Sequence, residues 1–155
     1  MKYILLIFIL FFTACSVKEY NTTQTKLVII KSPKLKFGDI GYIRNTDNAI
    51  ELELFSAGIA IDNITINHLI CVSSGCLSKQ SFNNEYLNSS YPNNLLQNIL
   101  LAKPIYDAMG IIKNNDGFEQ YIKNKNVDIS YKVSSNTTFF KDRKNKIIFK
   151  IKDIK

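Results

Sequence analysis

The sequence predicts a mainly β protein with some α structure, built as a curved antiparallel sheet that one or two central helices cover. Apolar and polar residues alternate in the first and last parts of the chain, and this is the period of a half-buried strand. Between these parts, residues 92–104 carry the stripe of an amphipathic helix. Strands followed by helices and then by strands favour an antiparallel sheet with its helices on one side.

The clearest strand pattern spans residues 50–70. Isoleucine and leucine alternate there with Glu51 and Glu53, and the alternation resumes after a break at residues 56–58. The break predicts a turn between two antiparallel strands, and the two glutamates are expected to face solvent. His68, the one histidine of the chain, is expected on the apolar face of the second strand.

The middle of the chain predicts helical structure. A short helical turn is expected around Phe82 and Tyr86, and Pro92 suits the first position of a longer helix that ends before Pro104. The apolar stripe of that helix consists of Leu95, Leu96, Ile99 and Leu100.

The strand pattern returns at residues 127–133, whose odd-numbered residues share one face. Residues 138–140 and 147–154 are then expected to pair as a closing hairpin across residues 142–145.

The start of the chain differs from the rest in composition. Residues 4–12 are nine apolar residues in a row, which is short of the roughly 20 that a spanning helix needs and fits a secretory signal peptide. Cys15 follows Thr13 and Ala14, where a lipoprotein signal peptidase cuts, so we expect it to carry the acyl chains of a membrane anchor. The alternative is a secreted protein with a chance cysteine at its cleavage site.

These features divide the chain into three parts: a signal peptide at residues 1–14, a lipidated tether at residues 15–26 and a single domain at residues 27–155. Ser16 after the cysteine favours onward transport of the lipoprotein to the outer membrane. We therefore expect a bacterial lipoprotein, anchored in the outer membrane and facing the periplasm.

The chain has 20 basic and 13 acidic side chains and a net charge of +7. Arginine is scarce among the basic residues, which weakens a case for nucleic-acid binding, and we expect no nucleic-acid partner. The basic surplus lies late in the chain and suits anionic lipid head groups or an acidic partner, or else a solvated sheet edge that lysine protects from strand pairing. Its members are Lys141, Arg143, Lys144, Lys146, Lys150, Lys152 and Lys155.

Cys71 and Cys76 are the cysteines that remain beside Cys15, and a local disulfide is their expected state in an oxidising periplasm. A zinc site with His68 would need a further ligand, so no metal site is predicted. The sequence has no catalytic triad order and no glycine-rich phosphate loop, and we expect a protein without enzymatic activity or cofactor.

The order of these motifs resembles the LolB family, the outer-membrane receptors that take lipoproteins from a periplasmic carrier. Three stretches carry the resemblance beside the lipidated start: the hairpin at residues 50–66, the proline-entered helix at residues 87–105 and the closing hairpin at residues 139–155. The resemblance implies a LolB-like half-barrel, covered by helices, around a greasy cavity. Where the family's hairpin carries a protruding leucine, this chain has Ala57.

Two sets of residues follow as candidate sites. The hairpin tip, with Phe55, Ala57 and Ile59, is expected to contact a membrane or a partner, unless it folds back onto the core. The inward-facing apolar residues are expected to line a cavity for acyl chains, the alternative being an ordinary packed core. They are Ile50, Leu52, Leu54, Ile64, Ile66, Leu96, Ile99, Leu100, Ile129, Tyr131, Phe149 and Ile151.

The predicted function is therefore the binding of acyl chains of other lipoproteins and their delivery to the membrane. Its partners would be the membrane, through the lipid anchor, together with acylated lipoproteins and a periplasmic carrier protein. The alternative is a non-catalytic envelope lipoprotein that acts as a protein-binding scaffold or assembly accessory. An internal void would favour the first reading, whereas a solid core would favour the second.

Overall fold

The computed structural model describes residues 20–154, so the predicted signal peptide and Cys15 lie outside the described residues. The described part forms eleven strands, two α-helices and one short 3-10 turn. The strands are β1 Thr22–Lys31, β2 Lys36–Asn45, β3 Ile50–Ser56, β4 Ile59–Ile66, β5 Leu69–Val72, β6 Gly75–Ser78, β7 Ile111–Asn114, β8 Gly117–Lys123, β9 Asp128–Ser134, β10 Thr137–Asp142 and β11 Ile147–Asp153. The helices are α1 Lys79–Tyr86 and α2 Leu95–Leu100, and the 3-10 turn is Tyr106–Ala108.

All eleven strands belong to one open antiparallel sheet in the order β6-β5-β4-β3-β2-β1-β11-β10-β9-β8-β7. Neighbours in the sheet are also neighbours in sequence, except that β1 pairs with β11, from Lys26 opposite Asp153 to Lys31 opposite Ile148. Residues 79–110, which contain both helices and are called the helical segment below, therefore connect one outer edge of the sheet, β6, to the other, β7. The predicted class, mainly β with an antiparallel sheet and few helices, is confirmed.

The core lies between one face of the sheet and the helical segment. Val28 and Leu52 on the sheet and Leu95 and Ile99 on α2 are fully buried in the same hydrophobic cluster. An edge-to-face row of aromatic rings extends this core, and Phe140 lies at its centre, with ring centroids 6.0 Å from both Tyr91 and Phe149. This row joins the helical segment to the closing hairpin that the sequence predicts at β10 and β11.

The predicted tether is too long at its C-terminal end, because β1 begins at Thr22. The first residues of β1 pair with β2 alone, from Thr22 opposite Asn45, and the pairing with β11 starts only at Lys26. This part of the strand is exposed on both faces, so its sequence is polar and shows no apolar alternation. These first residues of β1 therefore carry no strand pattern in the sequence.

Pro92 is not the first residue of the central helix. Its carbonyl accepts a hydrogen bond from the Leu95 N–H at 3.0 Å, which makes a turn before α2 begins. The same carbonyl accepts a second hydrogen bond, at 3.2 Å, from the side chain of Asn83 on α1. The proline therefore shapes the corner between the two helices, and α2 is shorter than predicted.

Two expectations about single polar residues are wrong. Glu51 is 8% exposed rather than solvated, because the Tyr20 hydroxyl and the Asn63 amide donate hydrogen bonds to it at 2.5 and 2.7 Å. His68 is exposed and lies in the two-residue turn between β4 and β5, since the strand pairing ends at Ile66 opposite Ile70.

The hairpin of β7 and β8 was not predicted. Its first strand is almost entirely exposed, so its sequence carries no apolar alternation. Its second strand buries Gln120, which is 0% exposed, beside Ile122. The Gln120 amide nitrogen donates to the carbonyls of Ile105 and Met109 at 3.0 and 2.8 Å, and its oxygen accepts from the Ile105 N–H at 2.8 Å. This amide holds the left-handed turn at residues 106–108 against the sheet.

Asp142 at the end of β10 plays a similar part for the closing hairpin. Its carboxylate is fully buried and accepts hydrogen bonds from the Tyr91 hydroxyl at 2.7 Å and from the Asn145 side chain at 2.6 Å. Burial raises the pKa of this carboxyl, but these hydrogen bonds and those from the Asp128 and Asn145 N–H groups hold its pKa below the ordinary value. Asp142 therefore ties the turn at residues 143–146 to the helical segment.

Replacing Gln120 by leucine is expected to lower the free energy of unfolding by about 3 kcal/mol, because buried backbone groups at Ile105 and Met109 lose their partners. Urea unfolding followed by circular dichroism measures the change. Gln24→Leu on the exposed part of β1 is the matched control and is expected to change stability by less than about 0.5 kcal/mol. Equal effects of the two changes would contradict the role of the Gln120 amide.

Asp142→Asn is expected to destabilise the protein at neutral pH and progressively less as the pH falls below about 4. The folded-state pKa of Asp142 lies below its unfolded value, so its contribution is fully present above the unfolded pKa and is lost as the pH falls through the folded pKa. Urea unfolding of the protein and the variant between pH 7 and pH 3 measures the difference. Asp107→Asn, an exposed carboxylate in a turn, is the control, and a pH-independent gap for Asp142→Asn would refute the argument.

Candidate functional site

The structure brings all twelve predicted cavity residues together, each at most 7% exposed, in one core. Eight of them lie deep in this core and expose at most 3% of their surface. Four line an opening: Leu100 and Ile151 line a groove, and Ile50 and Ile66 line a neighbouring cleft. That these residues enclose acyl chains stays a prediction. The eight deep residues are Leu52, Leu54, Ile64, Leu96, Ile99, Ile129, Tyr131 and Phe149.

The strand register defines two ends of the sheet. The groove end is where β1 begins, and it carries the turns at residues 46–49, 67–68 and 135–136. The tip end is where β1 finishes, and it carries the turns at residues 32–35, 57–58 and 143–146. Strand β1 has ten residues, so the two ends are roughly 30 Å apart.

The groove lies at the groove end, between the C-terminal end of α2 and the central strands, and has a volume of about 340 Å³. Its buried members are Ile43, Leu100, Thr138 and Ile151, while the rest of the rim is mostly polar. A small-molecule site typically measures about 300–1,000 Å³ and combines an apolar floor with a few polar groups. The groove therefore lies at the lower end of this size range and combines a small apolar floor with a mainly polar rim.

The loop after α2 forms one wall of the groove. Ala102 there has a left-handed backbone, with a φ of 52°, and α2 ends at Leu100. The Lys103 carbonyl accepts a hydrogen bond from the buried Tyr131 hydroxyl at 3.0 Å, and the Pro104 carbonyl accepts one from Asn98 at 2.8 Å. Burial also raises the pKa of Tyr131, so its hydroxyl remains a donor at neutral pH. These bonds fix the wall on one side, while α2 is attached to the sheet by apolar contacts.

A polar cleft of about 390 Å³ adjoins the groove. It lies between the turn at residues 46–49, the turn at residues 67–68 and the two helices, and it shares Asn45 and Leu101 with the groove. No motif in the sequence marks this site. Its polar side chains come from five separate segments of the chain, and no spacing in the sequence links them. They are Asn21, Asn45, Thr46, Asp47, Asn48, Asn67, Lys79, Gln97 and Lys103.

A third and wider depression of about 700 Å³ lies on the other side of the groove, with which it shares Ser134 and Thr137. Phe118, Val133 and Phe139 give it an apolar lining. All three openings therefore lie side by side at the groove end of the sheet.

The predicted tip residues lie at the opposite end. Ala57 and Gly58 form the two-residue turn between β3 and β4, and both have positive φ angles, 49° and 81°, as a type I′ hairpin requires. Ile59 is 70% exposed, as an interaction tip requires, whereas Phe55 is half-buried with its ring edge-on to Tyr42 at 5.2 Å. Ile61, which is 54% exposed, extends the apolar surface of the tip.

The described chain begins on the outer face of the sheet at the groove end. The Asn21 N–H donates to the Asn45 carbonyl at 2.8 Å, and the guanidinium of Arg44 lies 5.4 Å from the centre of the Tyr20 ring. Arg44 also pairs with Glu53, and this hydrogen bond raises the pKa of Arg44 further. These contacts fix the start of the described chain beside the groove and the cleft.

The predicted disulfide is confirmed. Cys71 and Cys76 face each other in the register of β5 and β6 and are joined by a 2.04 Å S–S bond. The bond links β5 and β6, the two strands at one edge of the sheet. The two cysteines are far in sequence from the residues that line the groove.

Residues 20–154 contain no helix of the length and apolarity that a membrane crossing needs, and no group of three or more histidine, cysteine or acidic side chains placed to hold a metal ion. Comparisons of the chain with models of protein families, with curated proteins and with solved structures found no match.

Proposed function

We propose that this protein is an outer-membrane lipoprotein that binds the acyl chains of other lipoproteins between its sheet and α2 and assists their delivery to the membrane. In this proposal the sheet is a curved half-barrel similar to the LolB family, and α2 is a lid. The observation that carries the proposal is the groove at the C-terminal end of α2, because its apolar floor continues into the core beneath the helix.

The apolar contacts of α2 explain how a larger site would form. Leu95, Leu96, Ile99 and Leu100 are buried against the sheet, so the helix fills the space that acyl chains would occupy. An acyl chain offers the sheet the same kind of apolar surface as these four side chains do, so chains entering from the groove replace the helix without exposing the inner face. In this proposal the solid core belongs to the carrier without its ligand, when α2 occupies the place of the acyl chains.

In this proposal the membrane lies at the groove end, because the described chain begins there. Cys15 is five residues before Tyr20, and five residues of fully extended chain span at most about 18 Å. An acylated Cys15 therefore holds the bilayer near the groove, whereas the hairpin tip lies roughly 30 Å away at the other end of the sheet. Acyl chains would pass between groove and bilayer directly, and the tip would meet a periplasmic partner.

The second candidate is a non-catalytic scaffold that binds another envelope protein. The observation that favours it is the packing of the eight deep residues, which leaves them at most 3% exposed. In a scaffold this core never opens, and the exposed Ile59 and Ile61 at the tip provide the contact.

Titration of the chain from residue 16 to residue 155 with a fluorescent fatty-acyl probe is expected to give saturable binding, which a triacylated lipopeptide displaces. Leu101→Glu is expected to weaken the binding at least tenfold, because it places a charge in the wall of the groove. Ile112→Glu, on the exposed strand β7, is the matched control and is expected to leave the affinity unchanged. Absence of saturable binding to the unmodified chain would refute the carrier and favour the scaffold.

Fluorophores at the two ends of the lipidated full chain are expected to differ in their distance from the bilayer. A label on Asn136→Cys, in a turn of the groove end, should be quenched by brominated lipids, and a label on Pro33→Cys, in a turn of the tip end, should not. Vesicle reconstitution with steady-state fluorescence measures the difference. Stronger quenching at residue 33 would show that the tip faces the membrane and that the proposed orientation is wrong.

A further inference from the structure

We propose that the polar cleft is a binding site for an anionic head group, so that the groove also accepts an acylated amphiphile with a phosphate-type head. This inference rests on the acyl-binding groove of the proposed function and goes beyond it, because the acylated cysteine of a lipoprotein carries no phosphate. It adds a second class of ligand: an anionic lipid whose chain lies in the groove and whose head lies in the cleft.

The first step is charge. Lys79 and Lys103 line the cleft, and of the described residues in its lining Asp47 is the one that carries a carboxylate. Asp47 accepts a hydrogen bond from the Asn21 amide at 2.5 Å, on the side of the cleft where the chain begins. The lining therefore has an excess of positive charge, and this charge attracts an anion over a neutral group.

The second step is the way in which Lys79 is held. Its ammonium group is half-buried at the start of α1 and donates to the Gln97 amide oxygen on α2 at 3.0 Å. Gln97 is a neutral partner, so it orients the ammonium without neutralising its charge. An ammonium has three donors, so Lys79 retains donors for an anionic oxygen in the cleft. A bound phosphate would also accept hydrogen bonds from side-chain amides, which Asn48 and Asn67 provide in the lining.

The third step is continuity with the groove. Asn45 and Leu101 line both openings, so no strand or helix separates them. A ligand that extends across Leu101 has apolar contacts on one side and amide and ammonium donors on the other. This is the distribution of polarity in an acylated phosphate ester, and it differs from that of a plain fatty chain.

The test compares two single-chain lipids that differ only in the head group, below their critical micelle concentrations. Lysophosphatidylglycerol, which is anionic, is expected to bind the chain from residue 16 to residue 155 at least fivefold more tightly than lysophosphatidylcholine, which is zwitterionic. The double variant Lys79→Gln, Lys103→Gln is expected to lose this preference and to keep its affinity for lysophosphatidylcholine. Lys79→Arg, which keeps the charge, should retain most of the preference.

A control variant removes the same charge at the tip end, where Lys123 and Lys125 are exposed. Lys123→Gln, Lys125→Gln should keep the head-group preference, and its loss there would mean that net charge alone, not the cleft, attracts the lipid. Equal affinities of the unmodified protein for the two lipids would overturn the head-group site and leave acyl binding in place. Failure to bind either lipid or the fatty-acyl probe would overturn the proposed function as well.

Inorganic phosphate distinguishes a lipid head group from a free anion. If the lipid is the ligand, phosphate alone should compete only at concentrations far above those of the anionic lipid. Tight binding of phosphate that depends on Lys79, without any gain from the acyl chain, would assign the cleft to a free anion and refute the amphiphile.

Discussion

The pairing of β1 with β11 is the constraint on which the rest of the structure depends. It joins Lys26–Lys31 near the start of the described chain to Ile148–Asp153 near its end, and so converts two separate meanders into one sheet of eleven strands. The cost of closing so long a loop grows only slowly with its length, whereas the pairing buries Val28 and Ile30 beside Phe149. Without this contact neither meander has a complete inner face.

The same pairing decides where the helices lie. Once β1 and β11 occupy the centre, β6 and β7 become the outer edges, and the chain between them must cross the whole sheet. Residues 79–110 make this crossing with two short helices and several irregular turns, whose backbone groups need partners when they are buried. Buried side chains on both sides supply them: Asn83 for the corner at Pro92, Gln120 for the turn after Ile105, and Tyr131 for the loop after α2. Between these fixed points, α2 is the element attached mainly by apolar contacts, which suits a lid.

The sequence allows the fold class and most strands to be predicted, because residues such as Leu52, Leu54 and Tyr131 alternate with polar neighbours where one face of a strand is buried. The alternation fails where this condition fails. The first part of β1 and the whole of β7 are exposed, and Glu51 on the outer face is buried by Tyr20, which comes from a distant part of the chain. The alternation of residues within one strand cannot show that a residue from a distant part of the chain covers a side chain.

The candidate site shows the same limit. Its apolar side, with Leu100 and Ile151, was predictable because it continues the inner face of the sheet and the stripe of α2. Its polar side was not, because Asn45, Lys79 and Lys103 meet only when the two meanders join and the crossing segment lies over the sheet. Side chains that the topology of the fold brings together, and not a sequence motif, have no characteristic spacing along the chain.

The proposed orientation also gives a role to the charge at the tip end of the sheet. Exposed basic side chains gather in the turns of the tip end, and one of them, Lys144, reaches across to the Lys125 carbonyl of the neighbouring turn. If an acylated Cys15 holds the groove end at the bilayer, these turns point into the periplasm, where their charge speeds the approach of an acidic protein. The apolar Ile59 and Ile61 beside them would then contribute contact after that approach. One end of the sheet would receive a partner and the other would exchange chains with the membrane, with the core and its lid between them.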